Sequence, residues 1–355
     1  MQPFRDLQPG EPMPHFSAMG ADGRPVSSLG FGGTYLLLFL PGPLEPAQAQ
    51  KLRHEIAARA PLFQSGAAQL LACVPQGTPS PCPPGPGMQP AYDPELRIAR
   101  VLGGLAANGQ GPFRPRAVLV DPMLRVIDSR PVATEAERRH VFDLLAAQPP
   151  ADRFAGLTLR APVLVLPRVF PPDLCDELIA SYEAHGGQAS GVMRLIDGKT
   201  VGVHDPQMKV RQDHLIQDRA LIARIQDRIT RTILPEIRKV HAFEVTRMER
   251  YVIGCYRAED KGHFAAHRDN TTPATAHRRF AISIALNDGY TGGEISFPEY
   301  NPEGLKPPAG AAVVFSCALL HRVSPVTHGM RYVFLPFVYD EAAAKLRETY
   351  QAASA

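Results

Sequence analysis

The sequence predicts two domains of different class: an α/β domain over residues 1–150, and an α+β domain over residues 155–345 whose core is a double-sheet jelly roll, or double-stranded β-helix. Three observations carry this expectation. A chain of 355 residues is long for one compact unit. Its first half alternates short apolar runs with helical spacings. From Phe243 onward, short β runs follow one another with only turns between them.

In the first half "TYLLLFL" reads as a buried strand, "PAQAQKLRHEIAARAPLF" has helical spacing, "AAQLLACV" is a second strand and "PELRIARVLG" a second helix. Strands separated by helices need crossover connections, so a parallel sheet is expected. "GTPSPCPPGPGMQP" reads as an irregular loop. "PRAVLVDPMLRVIDS" then reads as a hairpin turning at Asp121-Pro122, "ATEAERRHVFDLLAA" as an amphipathic closing helix, and "AQPPADR" as the linker. The second half opens with a strand, "APVLVLPRVF", and a helix, "PPDLCDELIASYEAHGG", with proline at its start and glycine beyond its end. "RALIARIQDRITRTILPEI" reads as one longer helix. The β runs are "EVTRMERYVI", "GHFAAH", "RFAISIALN", "GEISFP", "AAVVFS", "HRVSPV" and "RYVFLPFVYD", and the helices ahead of them are expected to brace one face of the β-core.

Composition narrows the function classes. Charge is nearly balanced, 38 Lys+Arg against 35 Asp+Glu without a long run of either sign, so nothing requires a nucleic-acid or membrane partner. A small-molecule or peptide substrate is the expected partner, and the oligomeric state is left open. The five cysteines, Cys73, Cys82, Cys175, Cys255 and Cys317, are odd in number and never form a CxxC pair, which argues against a disulfide framework or a thiolate zinc site. The N-terminal "MQPFRDLQPG" has neither a basic nor an apolar signal region, and "YLLLFL" is too short to span a bilayer, so a cytoplasmic location is expected.

The chemistry centres on "GHFAAHRDNTT", which begins at Gly262. Residues two apart on an extended chain share a face, so His267 and Asp269 can aim an imidazole nitrogen and a carboxylate oxygen at one point, with Asn270 expected to cap the turn. His321 opens another β run and is the candidate third ligand. Two histidines and one carboxylate on one face of an octahedron leave three positions open, the geometry non-haem Fe(II) enzymes use for oxygen and a cosubstrate. Arg331 follows in an otherwise apolar run; a buried guanidinium needs an anionic partner, and a carboxylate is the natural one. A dicarboxylate spanning metal and Arg331 is 2-oxoglutarate, to which Tyr251 and Tyr256 could add phenolic hydrogen bonds. His263, His277 and His328 read as surface or substrate-side residues. Arg278 and Arg279 read as a cationic strand edge or a substrate-carboxylate site, and Lys209 and Arg211 as a charged loop near the active-site mouth.

"HRD", "RRFAISIALND", "GGEISFPEYN" and "HRVSPVTHGMRYVF", in that order, resemble the prolyl-4-hydroxylase-like group of Fe(II)/2-oxoglutarate dioxygenases, from about Leu157 to Asp340. The resemblance implies that His267, Asp269 and His321 are the iron ligands, that Arg331 anchors 2-oxoglutarate and that Tyr251 lines the cosubstrate pocket; Tyr256 is a further candidate there, with "RAEDK" lengthening the segment before His263. It also implies Fe(II), 2-oxoglutarate, O2 and ascorbate as cofactors. The expected reaction is hydroxylation of an unactivated C–H bond with release of succinate and CO2. A peptidyl residue such as proline is the first candidate substrate, and a free amino acid or small metabolite the second. A non-catalytic binding protein built on both folds is the competing class.

"PGEPMPHFSAMGADGRPVSSLGFGGTYLLLFLPG" and "FRPRAVLVDPMLRVI", covering about residues 7 to 147, resemble peroxiredoxins of the thioredoxin-fold class, with Arg116 in the place of their hairpin arginine. Peroxide reduction needs a low-pKa cysteine where a helix follows the first long strand. Here that segment is "PGPLEPAQAQ", which has none, so the domain is expected to be a thioredoxin-like module without the peroxidatic cysteine. A redox role for Cys73 with Cys82 is the remaining expectation of that kind.

Overall fold

Six consecutive apolar residues, Tyr35–Leu40, are buried at every position, as a strand covered on both faces must be. This strand pairs in parallel with Ala68–Pro75 and antiparallel with Arg116–Val120, while Ala68–Pro75 pairs in parallel with Met88–Asp93. The computed structural model describes residues 4–196 and 199–354, so the first three residues of the N-terminal stretch lie outside it. The chain divides into two compact units, residues 1–160 with 298–302, and residues 161–297 with 303–355.

In the first unit seven strands form one mixed sheet in the order Pro25–Ser27, Ser17–Gly20, Met88–Asp93, Ala68–Pro75, Tyr35–Leu40, Arg116–Val120 and Val126–Pro131. The expected parallel arrangement therefore holds for the three central strands only; the rest enter through hairpins. Alternation along the strands feeds two apolar layers. Leu36, Leu38, Leu71 and Cys73 face one, whereas Leu37, Phe39, Leu70 and Ala72 face the other, where helices Pro46–Ala57 and Glu135–Ala146 supply Leu52, Ile56, Val141 and Phe142. "ATEAE" starts the closing helix through a capping box: Thr134 Oγ accepts from the Glu137 N–H at 3.2 Å, and the Glu137 carboxylate accepts from the Thr134 N–H at 2.8 Å. The proline-rich stretch is loop only in part. Met88, Gln89 and Pro90 open a strand, and Pro90 lies just outside Ala91 and Tyr92, the residues paired with Ser17–Gly20.

The second unit has two antiparallel sheets as its core. The nine-stranded sheet runs Arg247–Glu249, Phe337–Tyr339, Phe280–Ala285, Met330–Phe334, Val252–Arg257, Gln212–Leu215 and Gln188–Ala189, with Ala312–Ser316 and Leu164–Leu166 joined through Phe280–Ala285. Helices Pro172–His185, Arg219–Thr232 and Leu234–His241 cover one face: Leu178, Leu221, Ile225, Ile229 and Ile237 pack on Ile253, Ile282, Ile284, Phe334 and Val338. The other face looks toward a five-stranded sheet, Lys209–Val210, His263–His267, His321–Val323, Ile295–Phe297 and Asn301–Leu305. Tyr256 and Val333 of the first sheet and Val323 of the second share one apolar cluster, with Phe264 packed against it, so the two sheets meet face to face as in a jelly roll.

Several elements differ from the sequence pattern for identifiable reasons. The single helix expected over 219–237 is two, because Pro235 has no N–H for the turn before it. "EVTRMERYVI" breaks at Arg250, whose φ of 64° is left-handed, and "RYVFLPFVYD" and "HRVSPV" break at Pro336 and Pro325. Residues 188–215, which carried no assignment, hold five short strands, among them the hairpin Val192–Ile196 with Lys199–Val203. A C-terminal helix, Glu341–Ser354, follows the last strand. Among the described residues no helix is long and apolar enough to cross a membrane.

Candidate metal centre

His267 closes the strand His263–His267 and His321 opens His321–Val323, and the two residues are direct cross-strand partners with ring centroids 4.2 Å apart. Asp269 lies two residues beyond the strand, in a turn tethered by its own N–H donating to the Cys317 carbonyl at 2.9 Å. One imidazole nitrogen from each histidine and one carboxylate oxygen lie within 4.8 Å of one another. The three residues expected from the sequence are thus brought together.

The hydrogen bonds fix which ring atoms face inward. His267 Nδ1 lies 2.8 Å from the Ala265 carbonyl, and His321 Nδ1 lies 3.0 Å from the Leu319 carbonyl. A carbonyl only accepts, so each Nδ1 carries the proton and each Nε2 presents a lone pair. Those Nε2 atoms sit 3.4 Å from Asp269 Oδ1 and Oδ2. Burial, then the His267 ring, pushes His321 down to about 4, so at neutral pH its contact with Asp269 is not an ion pair. Burial alone would raise Asp269, but His321 and His267 outweigh it and hold the carboxyl well below its ordinary value. Three acceptors converging in this way are stabilised by a shared cation, and the N, N, O set suits a divalent transition metal. Phe264 stacks on His267 with centroids 3.5 Å apart, and the Phe315 ring stands 4.6 Å from His321, so apolar rings wall the pair.

Opposite, on the nine-stranded sheet, Arg331 is the cross-strand partner of Tyr256. Arg331 is 3% exposed, yet among the described residues its Nε and Nη1 have no hydrogen-bond partner, and Nη2 reaches Ser283 Oγ only at 3.5 Å. Its guanidinium lies 5.1 Å from the Tyr256 ring centroid. An unpaired buried guanidinium is costly, and a bidentate carboxylate would satisfy it. Glycine makes the room: at Gly293, φ 67°, a Cβ would stand 3.0 Å from Arg331 Cδ.

Other expectations change. Tyr251 does not line this space; it packs in the helix-side cluster and bonds Gln226 of the second helix, so Tyr256 is the phenol beside Arg331. Even-spaced Tyr256 and odd-spaced Tyr251 point to opposite faces of the strand region. Lys209 and Arg211 are not an exposed charged loop: both are buried, Lys209 on the strand Lys209–Val210 and Arg211 at the single residue between it and Gln212–Leu215. Arg211 grips Asp213 with Nε at 2.5 Å and Nη2 at 2.7 Å, and its Nη1 lies 3.4 Å from Tyr256 Oη. Arg278 is neither an open substrate anchor nor a strand-edge charge, since it donates to the buried Glu249 at 2.9 Å. Arg279 donates to the Ala276 carbonyl. His277 is buried 3.1 Å from Glu249 rather than on the surface, His263 lies against the Lys261 and Gln207 carbonyls, and His328 is exposed. Cys73 and Cys82 face different apolar layers, and burial pushes each thiol up to about 12, which removes the redox-pair expectation. Sequence reasoning missed Asp213 and Arg250, although "KVRQD" places Lys209, Arg211 and Asp213 on alternate positions, the period of one strand face.

Residues 247–339 match the family model described as 2OG-Fe(II) oxygenase superfamily, a span that includes all three candidate ligands and Arg331. A PKHD-type hydroxylase from Synechococcus sp. (strain JA-2-3B'a(2-13)) is 27% identical over 124 residues, 32% of this chain and 54% of that protein. One from Pseudomonas putida is 34% identical over 90 residues, 23% of this chain and 39% of that protein. The chain therefore spans about half the length, or less, of these curated relatives. A solved Pseudomonas putida prolyl-4-hydroxylase aligns at 16% identity over 54% of this chain and 96% of that one, with a TM-score of 0.36. Residues 247–339 thus carry a 2OG-Fe(II) oxygenase domain.

Proposed function

We propose that the second unit is an Fe(II)- and 2-oxoglutarate-dependent dioxygenase that hydroxylates a substrate C–H bond. His267 Nε2, His321 Nε2 and the Asp269 carboxylate would hold the iron, and Arg331 with Tyr256 the distal carboxylate of 2-oxoglutarate. The observation that carries this reading is the pairing of two unmet demands: an inward-facing N, N, O acceptor set and a buried guanidinium without a partner. When bound, iron, 2-oxoglutarate and O2 supply the oxidising power for hydroxylation, with succinate and CO2 as co-products and ascorbate as the reductant that keeps iron divalent.

The chain's own contribution is placement. The Nδ1–H tethers to the Ala265 and Leu319 carbonyls lock both imidazoles in the metal-binding tautomer. Phe264 and Phe315 keep water from the ring faces. Cross-strand registers, His267 with His321 and Tyr256 with Arg331, set the geometry on strands rather than loops. The proposed target is a peptidyl residue, with proline the first candidate; a free amino acid or small metabolite is the second reading. For the first unit we propose a thioredoxin-type module without peroxidase chemistry, because the helix Pro46–Ala57 starts at Glu45 with a capping box from Gln48 and no cysteine.

Succinate formation from 2-oxoglutarate with Fe(II) and ascorbate tests the reading. Wild type should form succinate and retain iron, and His267→Ala should do neither. A wild-type protein that binds no iron and forms no succinate would instead be a binding protein built on this fold.

A further inference from the structure

Near the metal ligands three cations gather around one available carboxylate. Asp213 accepts Arg211 Nε on Oδ1, and on Oδ2 it accepts Arg211 Nη2 at 2.7 Å, Ser190 Oγ at 2.5 Å and Arg250 Nη2 at 3.2 Å. Four donors saturate a carboxylate. Lys209 gets none of it: its Nζ donates to Ser190 Oγ at 2.6 Å and the Gly191 carbonyl at 3.2 Å, which leaves its third N–H without an acceptor among the described residues. Among the described residues Arg250 spends one N–H on Asp213 and none of its other donors. The next carboxylate, Asp269, is committed to the metal ligand set. When Lys209 is protonated, as it would be opposite a bound anion, the cluster therefore keeps surplus positive charge after its internal pairs are counted.

Its position makes that surplus informative. Lys209 is the cross-strand partner of Phe264, with Nζ 5.0 Å from that ring, and the same ring stacks on His267. Lys209 is thus one aromatic ring away from a metal ligand. Arg250 keeps a third of its side chain exposed and is held at φ 64°, a left-handed conformation costly for a residue with a Cβ. Such strain is kept where a side chain must reach a particular place. Gly254, the cross-strand partner of Asp213, belongs to the same construction, since a Cβ there would meet Arg211 Cδ at 2.9 Å. Burial, then Arg211, drives the Lys209 ammonium down to about 6, as expected for a cation that lacks its anion.

We propose that Lys209 and Arg250 form a subsite for a carboxylate on the substrate, so that the molecules hydroxylated here are acids. The inference rests on the dioxygenase reading and deepens it by naming the substrate class. The subsite is proposed as distinct from the cosubstrate anchor: Arg331 pairs with Tyr256 on the nine-stranded sheet, whereas Lys209 lies on the five-stranded one. Arg211 is closed by Asp213 and reaches Tyr256 Oη at 3.4 Å.

The carboxylate could belong to a free amino acid or to an acidic residue of a peptide, and matched acid and amide probes separate these sources. Anaerobic calorimetry on the protein loaded with Fe(II) and 2-oxoglutarate would compare L-proline with L-prolinamide, and N-acetyl-prolyl-glutamate amide with its glutamine counterpart. One acid should bind about tenfold to a hundredfold tighter than its amide. Arg250→Gln and Lys209→Met should each erode that preference, Arg250→Lys should keep part of it, and 2-oxoglutarate affinity should be retained in all three. Equal binding of acid and amide in both pairs overturns the proposal, as does a preference that survives both substitutions. Weakened 2-oxoglutarate binding in Arg250→Gln also overturns it, by assigning the cations to the cosubstrate. If wild type fails to take up iron and 2-oxoglutarate, the dioxygenase reading falls; if it takes up both and ignores the acids, only this inference does.

Discussion

Each unit buries an arginine on a strand, and the two are treated in opposite ways. Arg116, in the first unit, donates Nη1 to Asp6 at 2.6 Å and Nη2 to Ser129 Oγ at 3.0 Å and its carbonyl at 3.3 Å. Arg331, in the second, has only a marginal contact with Ser283. The same contrast holds for the groups around them. Where the resemblance would put a reactive thiol, the first unit has a helix start closed by its own side chains, whereas the second turns two imidazoles and a carboxylate toward one another. A working polar site leaves bonding capacity unspent for its ligand; a structural one closes it internally.

The largest effect should come from the ligand set. His321→Ala should cost iron affinity by more than about 100-fold, beyond what loss of an outer-shell partner costs, and bring succinate to background. Metal analysis after dialysis checks the first and a succinate assay the second. A variant that keeps its iron would end the comparison, because the converging acceptors would then have another purpose.

Lys209 extends the contrast to pH. Its unfolded value is the ordinary 10.5 and its folded value about 6. Between these limits the unfolded chain holds one more proton than the folded one, so stability rises with pH across the window, by up to about 1.4 kcal/mol per unit. The penalty is complete below the folded value and gone above the unfolded one. Urea unfolding of wild type against Lys209→Met at pH 6.5 and 9 should show wild type gaining relative to the variant. Parallel curves would mean that Lys209 already has a fixed anionic partner.

The two arginines can be compared directly. Arg331→Met should raise the KM for 2-oxoglutarate by about 10- to 100-fold, the loss of charge-assisted hydrogen bonds, while leaving the unliganded protein as stable or more so. Arg116→Met should do the reverse, lowering stability by about 1–3 kcal/mol with 2-oxoglutarate kinetics unchanged. Thermal melts with and without 2-oxoglutarate separate the outcomes. Equal destabilisation by both substitutions would erase the distinction between a closed and an open arginine.

The site was legible where chemistry and order along the chain coincide. His267, Asp269, His321 and Arg331 are residue types with few reasons to sit in apolar β runs, so their spacing carried the signal. Tyr251 against Tyr256 was legible in principle, since their odd separation puts them on opposite faces of an extended run, the left-handed turn at Arg250 ending the preceding strand just ahead of both. Lys209, Arg211 and Asp213 were obscured. Lys209 and Asp213 lie on strands only two and four residues long, with Arg211 between them, too short for periodicity to stand out, and these strands pair with His263–His267 and Val252–Arg257, far along the chain. Helices and long apolar strands read well because local pattern and tertiary burial agree in them. The proline breaks at Pro235, Pro325 and Pro336 show where a continuous apolar pattern overstates a continuous element.

The smallest effect belongs to the first unit's thiols. With Cys73 and Cys82 both raised to about 12, first by burial, only about one thiol in ten thousand would be ionised at pH 8. Asp93 adds to the rise at Cys73, and Arg53 offsets only part of it at Cys82. Folded protein should therefore react with a thiol reagent such as 5,5′-dithiobis(2-nitrobenzoate) far more slowly than unfolded protein, in which all five cysteines titrate. Cys73→Ser and Cys82→Ser should leave peroxide consumption at the rate of buffer. A fast stoichiometric reaction at either thiol would show a reactive group in the unit whose helix start and Arg116 Nη atoms are closed internally, and the contrast between the two halves would have to be drawn elsewhere.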